Sequence, residues 1–157
     1  MHALAAGDLA GARRSSALPL SEYFGRVENR GIWIRRSKQV SADPASEPWI
    51  TGIILDLQSQ QTVGRAGYHG PPDERGMVEV GYEIDPEFRR KGYAKAALEI
   101  LLDRAWRTPE VKVVRASIAP QNIASNKPLQ PYGFSKVGEE IDPEGGLEYQ
   151  FELHLHP

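Results

Sequence analysis

The sequence predicts an α/β (α+β) fold: one mixed, mainly antiparallel sheet flanked by helices. Three observations carry that reading. Val78, Val80, Tyr82 and Ile84 alternate with Glu79, Gly81 and Glu83, the two-residue period of a strand with unlike faces. From Ala94 the period lengthens, and Ala94, Ala97, Leu98, Leu101, Leu102 and Ala105 make one apolar stripe, as on a helix that lies against a core. Val111 to Ile118 is short and β-branched, and a right-handed crossover through the helix makes it run parallel to Val78–Ile84. The other strands come as two hairpins, which supply antiparallel pairs.

In chain order, Leu4, Leu9 and Ala12 are spaced for a short helix from Leu4 to about Arg14, interrupted by Leu18-Pro19-Leu20. The Ala-rich start with Arg13-Arg14-Ser15-Ser16 has features of a transit peptide or of the remainder of a longer N-terminus. Asp8 and the helical spacing favour an ordinary helix. Ser21 is placed to cap a second helix with Phe24, Val27, Ile32 and Ile34 facing inward, although Gly31 weakens it. Residues 41–48 are a polar, proline-punctuated loop. Trp49–Leu57 and Thr62–His69 form a hairpin turned at Ser59, Gln60 and Gln61, and residues 70–76 are a loop.

Asp85-Pro86 ends the central strand, because proline donates no ladder hydrogen bond. The amphipathic helix is expected over about Lys91 to Thr108, with a turn at Pro109-Glu110. Residues 120–132 read as a turn and a short, damaged helix, which Pro128 can begin and Pro131 should end. Ser135–Ile141 and Leu147–Leu155 are strands joined through residues 142–146. With no repeat or second domain in view, residues 1–157 read as one domain, helical over 1–48 and sheet-centred over 49–157.

Composition narrows the function classes. A net charge of −2 offers no broad basic face for nucleic acid. The absence of cysteine removes disulfides, thiol nucleophiles and cysteine metal sites, which fits a cytoplasmic protein. No apolar run approaches the length of a membrane span. His69 reads as a lone surface histidine, and with His2, His154 and His156 it makes no ligand set, so no metal is expected. Trp33, Trp49 and Trp106 read as core or cleft walls.

Against that neutral background, Arg89-Arg90-Lys91-Gly92-Tyr93-Ala94 stands out. It lies where the strand gives way to the helix, and a helix N-terminus presents unpaired N–H groups and partial positive charge. Gly92 and Ala94 allow close backbone approach, and three cations flank them. Such a turn suits a polyanion, most simply a pyrophosphate. The spacing lacks the full G-x-G-x-x-G of dinucleotide-binding turns.

At Arg89–Ala94 the chain resembles the GNAT superfamily of acyl-CoA-dependent N-acyltransferases. The resemblance extends through residues 120–134, with Asn122, Ser125 and Gly133-Phe134. Gly67-Tyr68-His69, Val80-Gly81-Tyr82, Lys136–Glu139 and residues 142–148 are similar to the ribosomal-protein-acetyltransferase-like branch. The likeness covers about Trp49 to Phe151. It implies a sheet whose parallel pair splays apart, with acetyl-CoA as co-substrate and no metal. Arg89, Arg90, Lys91, Gly92, Tyr93 and Ala94 would hold the pyrophosphate, and Val80, Gly81, Tyr82, Asn122 and Ser125 would line the pantetheine arm. Gly81 is placed for a bulge beside the splay. Residues 1–48 would shape the acceptor site and 49–157 the acetyl-CoA-binding core. The implied partner is an amine, on a small molecule or a protein N-terminus or lysine, with the enzyme a monomer or homodimer.

An amine attacks only as the free base, so a carboxylate within reach is needed to take its proton. Glu79 and Glu83 share one strand face and are the candidates, Glu79 first. The plain alternative leaves both solvated or pairs them with Arg89, Arg90 or Lys91. Asn122 and Ser125 can equally be caps of a short helix. The family's tyrosine acid, four residues before the glycine of Gly-Phe, is here Leu129, and Tyr132 reads as packing. Tyr82 and Tyr93 read as core or rim. A non-catalytic acyl-CoA-binding or regulatory module is the competing reading, since fold does not guarantee activity.

Overall fold

The computed structural model describes residues 1–156. Six strands form one sheet: β1 (Gly52–Asp56), β2 (Gln61–Tyr68), β3 (Met77–Ile84), β4 (Val113–Ile118), β5 (Ser135–Asp142) and β6 (Gly146–His154). Their order is β1-β2-β3-β4-β6-β5. β3 and β4 run parallel, and the other neighbours are antiparallel. The crossover between the parallel strands is the helix Tyr93–Arg107.

The helices are α1 (His2–Ala5), α2 (Leu9–Ser15), α3 (Val27–Ala42), α4 (Tyr93–Arg107) and α5 (Ile123–Asn126). On one face of the sheet, α4 buries Ala97, Leu98, Leu101 and Ala105. They pack in a core with Val78, Val80, Val114, Ala116 and Ile118. Those are alternate residues of β3 and β4, so the period-two and helical patterns meet as their spacing requires. Tyr68 lies fully buried in this layer and donates from its hydroxyl to the Leu101 carbonyl at 2.6 Å. A second apolar cluster (Leu4, Ala12, Leu20, Tyr23, Phe24, Trp33) draws the N-terminal helices together, with Ile53 of β1 against it.

The N-terminal expectations need correction. The single helix Leu4–Arg14 is two, broken where Gly7 turns left-handed at φ +79° and Asp8 caps α2 by accepting from Gly11 N–H at 2.7 Å. Asp8→Ala is expected to lower stability by about 0.5–2 kcal/mol, the usual worth of such a cap, as a denaturant melt would show. Ser21 begins only a 3-10 turn over Glu22–Gly25. The long helix starts at Val27 and runs through Gly31 to Ala42, into the expected loop. Its buried side chains are Asn29, Trp33 and Arg36, whereas Val27 is 79% exposed and Ile34 also faces outward. The inward face of α3 is thus polar at two positions of three, which a hydrophobicity pattern does not reveal. Trp106 is exposed, so it is no core or cleft wall.

Candidate active site

The site begins where β3 and β4 stop pairing. Their register runs through Met77↔Val113 and Val78↔Val114 and ends at Glu79↔Arg115. β4 instead continues along β6 as far as Ile118↔Tyr149, which leaves a wedge beyond Glu79. The bulge expected at Gly81 is absent: β3 keeps an unbroken register with β2 from Gly64↔Ile84 to Tyr68↔Val80. Gly81 has another reason to be glycine. A Cβ there would stand 2.8 Å from the His69 ring nitrogen Nε2. On the β2 side, the Glu79 carbonyl accepts from His69 N–H at 2.8 Å. Backbone groups alternate sides along a strand, so those of Val80 and Tyr82 face the wedge.

At the far end of β3 the chain turns through a 3-10 segment, Pro86–Phe88, capped by Asp85. Arg90 (φ 60°) and Gly92 (φ +86°) then both take left-handed conformations. Gly92 is the N-cap of α4. The first bond of that helix runs from Ala96 N–H to the Gly92 carbonyl at 3.0 Å, leaving the amides of Tyr93, Ala94 and Lys95 open in its first turn. No acidic residue occupies that turn. The loop is therefore a concave run of N–H donors at a helix N-terminus, a suitable seat for an anion.

The side chains around the loop are less uniform. Arg89 folds back, its Nε donating to the Ile84 carbonyl at 3.1 Å, and Lys91 Nζ lies 5.1 Å from the centre of the Phe88 ring. The Tyr93 hydroxyl donates to Asp56 Oδ2 at 2.8 Å, tying α4 to the end of β1. The Ser59 hydroxyl, and then Tyr93, hold the Asp56 carboxyl below the usual carboxylate range. Across the wedge, Asn122 caps α5, its Oδ1 accepting from Ser125 N–H at 3.1 Å. The Tyr82 hydroxyl donates to the Ser125 carbonyl at 2.6 Å, so Tyr82 links β3 to α5. Leu129 is buried in the core at 3% exposure, and the Tyr132 hydroxyl is engaged by Glu99. Neither presents a phenol to the wedge.

Glu79, Gly81 and Glu83 share the face of β3 turned away from α4, and neither glutamate pairs with the Arg89–Lys91 cations among the ion pairs of the described residues. Glu83 is held by Arg65 of β2. Arg65 also donates from Nε to Asn29 Oδ1 at 3.2 Å, and Asn29 Nδ2 donates to the Tyr23 carbonyl at 2.7 Å. The Tyr23 hydroxyl is buried without a hydrogen-bond partner. Burial, with the nearby Glu83 charge, pushes it up to about 12. Glu83 is thus a committed member of a polar cluster beneath α3.

Glu79 is freer. Its side chain is 23% exposed, with Oε1 3.4 Å from Nδ1 of His69. Burial pushes its carboxyl above the ordinary glutamate range, opposed by the Ser117 hydroxyl and the Arg115 charge. Most of the Arg115 charge goes elsewhere, to Glu152 Oε1 at 3.0 Å from Nε and 2.5 Å from Nη2. His69 was not expected here. Protein crowds its ring, although 43% of the side chain still faces solvent. Burial, with the cations Arg36, Arg35 and Arg65, pushes the ring down to about 4, so it is neutral at physiological pH. The signal that could have found it is the hairpin register, which sets His69 beside Glu79 across β2 and β3. The site is a raised-pKa carboxylate at the mouth of a wedge whose other end is an anion cradle.

A GNAT acetyltransferase domain model matches residues 17–135, more than half of the chain. The chain belongs to the GNAT acetyltransferase family. Acyl transfer is the chemistry of that family. One relative, named as the uncharacterized N-acetyltransferase YjdG of Bacillus subtilis (strain 168), is 35% identical over 82 residues, covering 52% of this chain and 49% of its own. The chain thus spans about half the length of the curated relatives it matches, 48% of the p20 protein of Bacillus licheniformis. The GNAT fold is matched by a ribosomal-protein-S5-alanine acetyltransferase of Vibrio fischeri at TM-score 0.66 and 19% identity, covering 97% of this chain and 87% of that one. A spermidine N-acetyltransferase of Vibrio cholerae gives TM-score 0.63 at 13% identity, covering 78% of this chain and 75% of that one. No helix among the described residues is long and apolar enough to cross a membrane, and no group of three or more metal-ligating side chains gathers among them.

Proposed function

We propose that the protein is an acetyl-CoA-dependent N-acetyltransferase that moves the acetyl group directly to a primary amine. The observation that carries this is the β3–β4 register ending at Glu79↔Arg115, with the α4 N-terminus at one end of the opening and Glu79 at the other. The amides of the loop 89–94 would take the pyrophosphate, joined by Arg90 and Lys91, whereas Arg89 and Tyr93 serve the loop's own shape. Val80 and Tyr82 would pair with the pantetheine arm through their backbone groups, and Asn122 and Ser125 would form its far wall through α5. Residues 1–48 would close the acceptor side over the face bearing Glu79, and 49–157 would hold the co-substrate.

Glu79 accepts the proton of the acceptor ammonium, directly or through one water, and the freed amine attacks the thioester carbon. The C–N bond forms, the carbonyl becomes an oxyanion facing backbone donors near Val80–Tyr82, and its collapse breaks the C–S bond. The attached nitrogen gives up its second proton to solvent as the intermediate collapses to the amide. Coenzyme A leaves as thiolate and takes a proton from solvent, since Leu129 and Tyr132 supply none. Glu83, paired with Arg65, shapes the acceptor side and does not carry the proton. The acceptor is an amine on a small molecule, a protein N-terminus or a lysine. The enzyme works in the cytoplasm as a monomer or homodimer.

The core position of Leu129 also favours a second reading, a non-catalytic acyl-CoA-binding module. Thiol release from acetyl-CoA with a panel of amines, including polyamines and N-terminal peptides, separates the two. Amine-dependent release is expected. Tight acetyl-CoA binding with no release for any amine would select the module.

A further inference from the structure

We propose that His69 is a positioning residue that holds the Glu79 carboxylate for the incoming amine. The role rests on the reading of Glu79 as base. Contacts to its backbone and to its ring place the imidazole there. Its own backbone N–H is bonded to the Glu79 carbonyl at 2.8 Å. Its carbonyl accepts from Arg36 Nη1 at 3.2 Å and from Gln39 Nε2 at 2.9 Å, both on α3. Its ring occupies the space that a side chain at Gly81 would fill, with Nε2 2.8 Å from that Cβ position. Nδ1 is left facing Glu79 Oε1 at 3.4 Å, a separation of the kind that shortens when a substrate completes a site.

The chemistry follows from the number of protons. A carboxylate has two oxygens, and a base needs one of them free and aimed. A neutral imidazole protonated at Nδ1 steadies one oxygen without supplying a full charge. An imidazolium would form an ion pair with Glu79 and make it a poorer base. The surroundings keep the ring neutral: Arg35 and Arg36 face it from α3 and Arg65 from β2. Glu79 is faced by Arg115 and Ser117 of β4, Glu140 of β5 and Arg36 of α3, and by Glu148 of β6. Arg36 is buried, and its hydrogen bonds reach only the neutral oxygens of Thr51, Gln39 and His69. It therefore pins the His69 backbone without pairing directly with Glu79, on which its charge acts only from a distance.

Steady-state kinetics and pH profiles of His69→Phe, His69→Asn, Gly81→Ala and Glu79→Gln test this. His69→Phe keeps the bulk and removes the donor. It is expected to lower kcat about 10- to 100-fold, leave KM for acetyl-CoA within about twofold, and move the acidic limb of the profile to higher pH as Glu79 loses its donor. His69→Asn, whose amide can reach the same oxygen, should recover most of kcat and return the limb. His69→Phe in a Glu79→Gln background should add no further loss. Should His69→Phe fail to fold by circular dichroism, Gly81→Ala displaces the ring while leaving β3 in register, and an intermediate loss with the same limb shift is expected. Wild-type kcat with an unmoved limb overturns the role, as does a loss that Asn does not rescue. A damaged Glu79→Gln beside an unaffected His69→Phe overturns only this inference. An unaffected Glu79→Gln overturns the base assignment itself.

Discussion

A Glu79→Gln enzyme is expected to turn over about 100-fold or more slowly, the usual worth of a positioned base, with KM for acetyl-CoA nearly unchanged. Glutamine keeps the shape of the side chain and cannot accept the amine proton. The pH dependence gives the sharper signature. Burial raises the Glu79 carboxyl above its ordinary value, so the wild-type rate should fall on the acid side at a higher pH than an unperturbed glutamate would give. That limb should vanish in the variant. Stability carries the opposite sign. A carboxyl raised in the folded state binds its proton more tightly there, so the folded state is favoured below the unfolded pKa. That advantage is lost as pH climbs through the folded one. At neutral pH the ionised Glu79 therefore opposes folding, and Glu79→Gln should melt at a higher temperature than wild type. Lower activity with higher thermal stability would separate a functional carboxylate from a structural one. An unchanged rate and limb would move the base elsewhere.

The sheet and the α4 crossover were legible because their patterns are local: alternation along β3 and a stripe along α4 need no partner to be read. The wedge was legible only through the family resemblance, and its cause was misplaced. Gly81 looked like a bulge, but it serves the close approach of a histidine from the neighbouring strand. That requirement comes from the hairpin register, which one strand cannot display. The face of α3 was hidden for a related reason. Asn29 and Arg36 are buried because Arg65, Thr51 and the His69 carbonyl satisfy them, and polar groups paired in this way leave no hydrophobic period. The anion cradle was readable from composition and order. The left-handed turn at Arg90 was not, since arginine rarely adopts it.

That cradle is the target of the other large effect. Gly92→Glu is expected to weaken acetyl-CoA binding at least about 100-fold, by roughly 3 kcal/mol. Gly92 holds φ +86° at the N-cap of α4, a conformation that costs a side-chain-bearing residue about 1–2 kcal/mol. A Cβ at Gly92 meets no protein atom within 4 Å, so the new side chain projects into space the fold does not occupy. The protein should therefore fold, with only that modest loss in a denaturant melt. The coenzyme suffers twice: the loop amides lose their geometry, and a carboxylate enters the positive end of the helix, where the pyrophosphate would lie. Gly92→Ala separates the two contributions, since it imposes the backbone strain without the charge and should weaken binding less than Gly92→Glu. Calorimetric titration with acetyl-CoA measures both. Wild-type affinity in a folded Gly92→Glu protein would mean that the pyrophosphate is held somewhere other than at this helix.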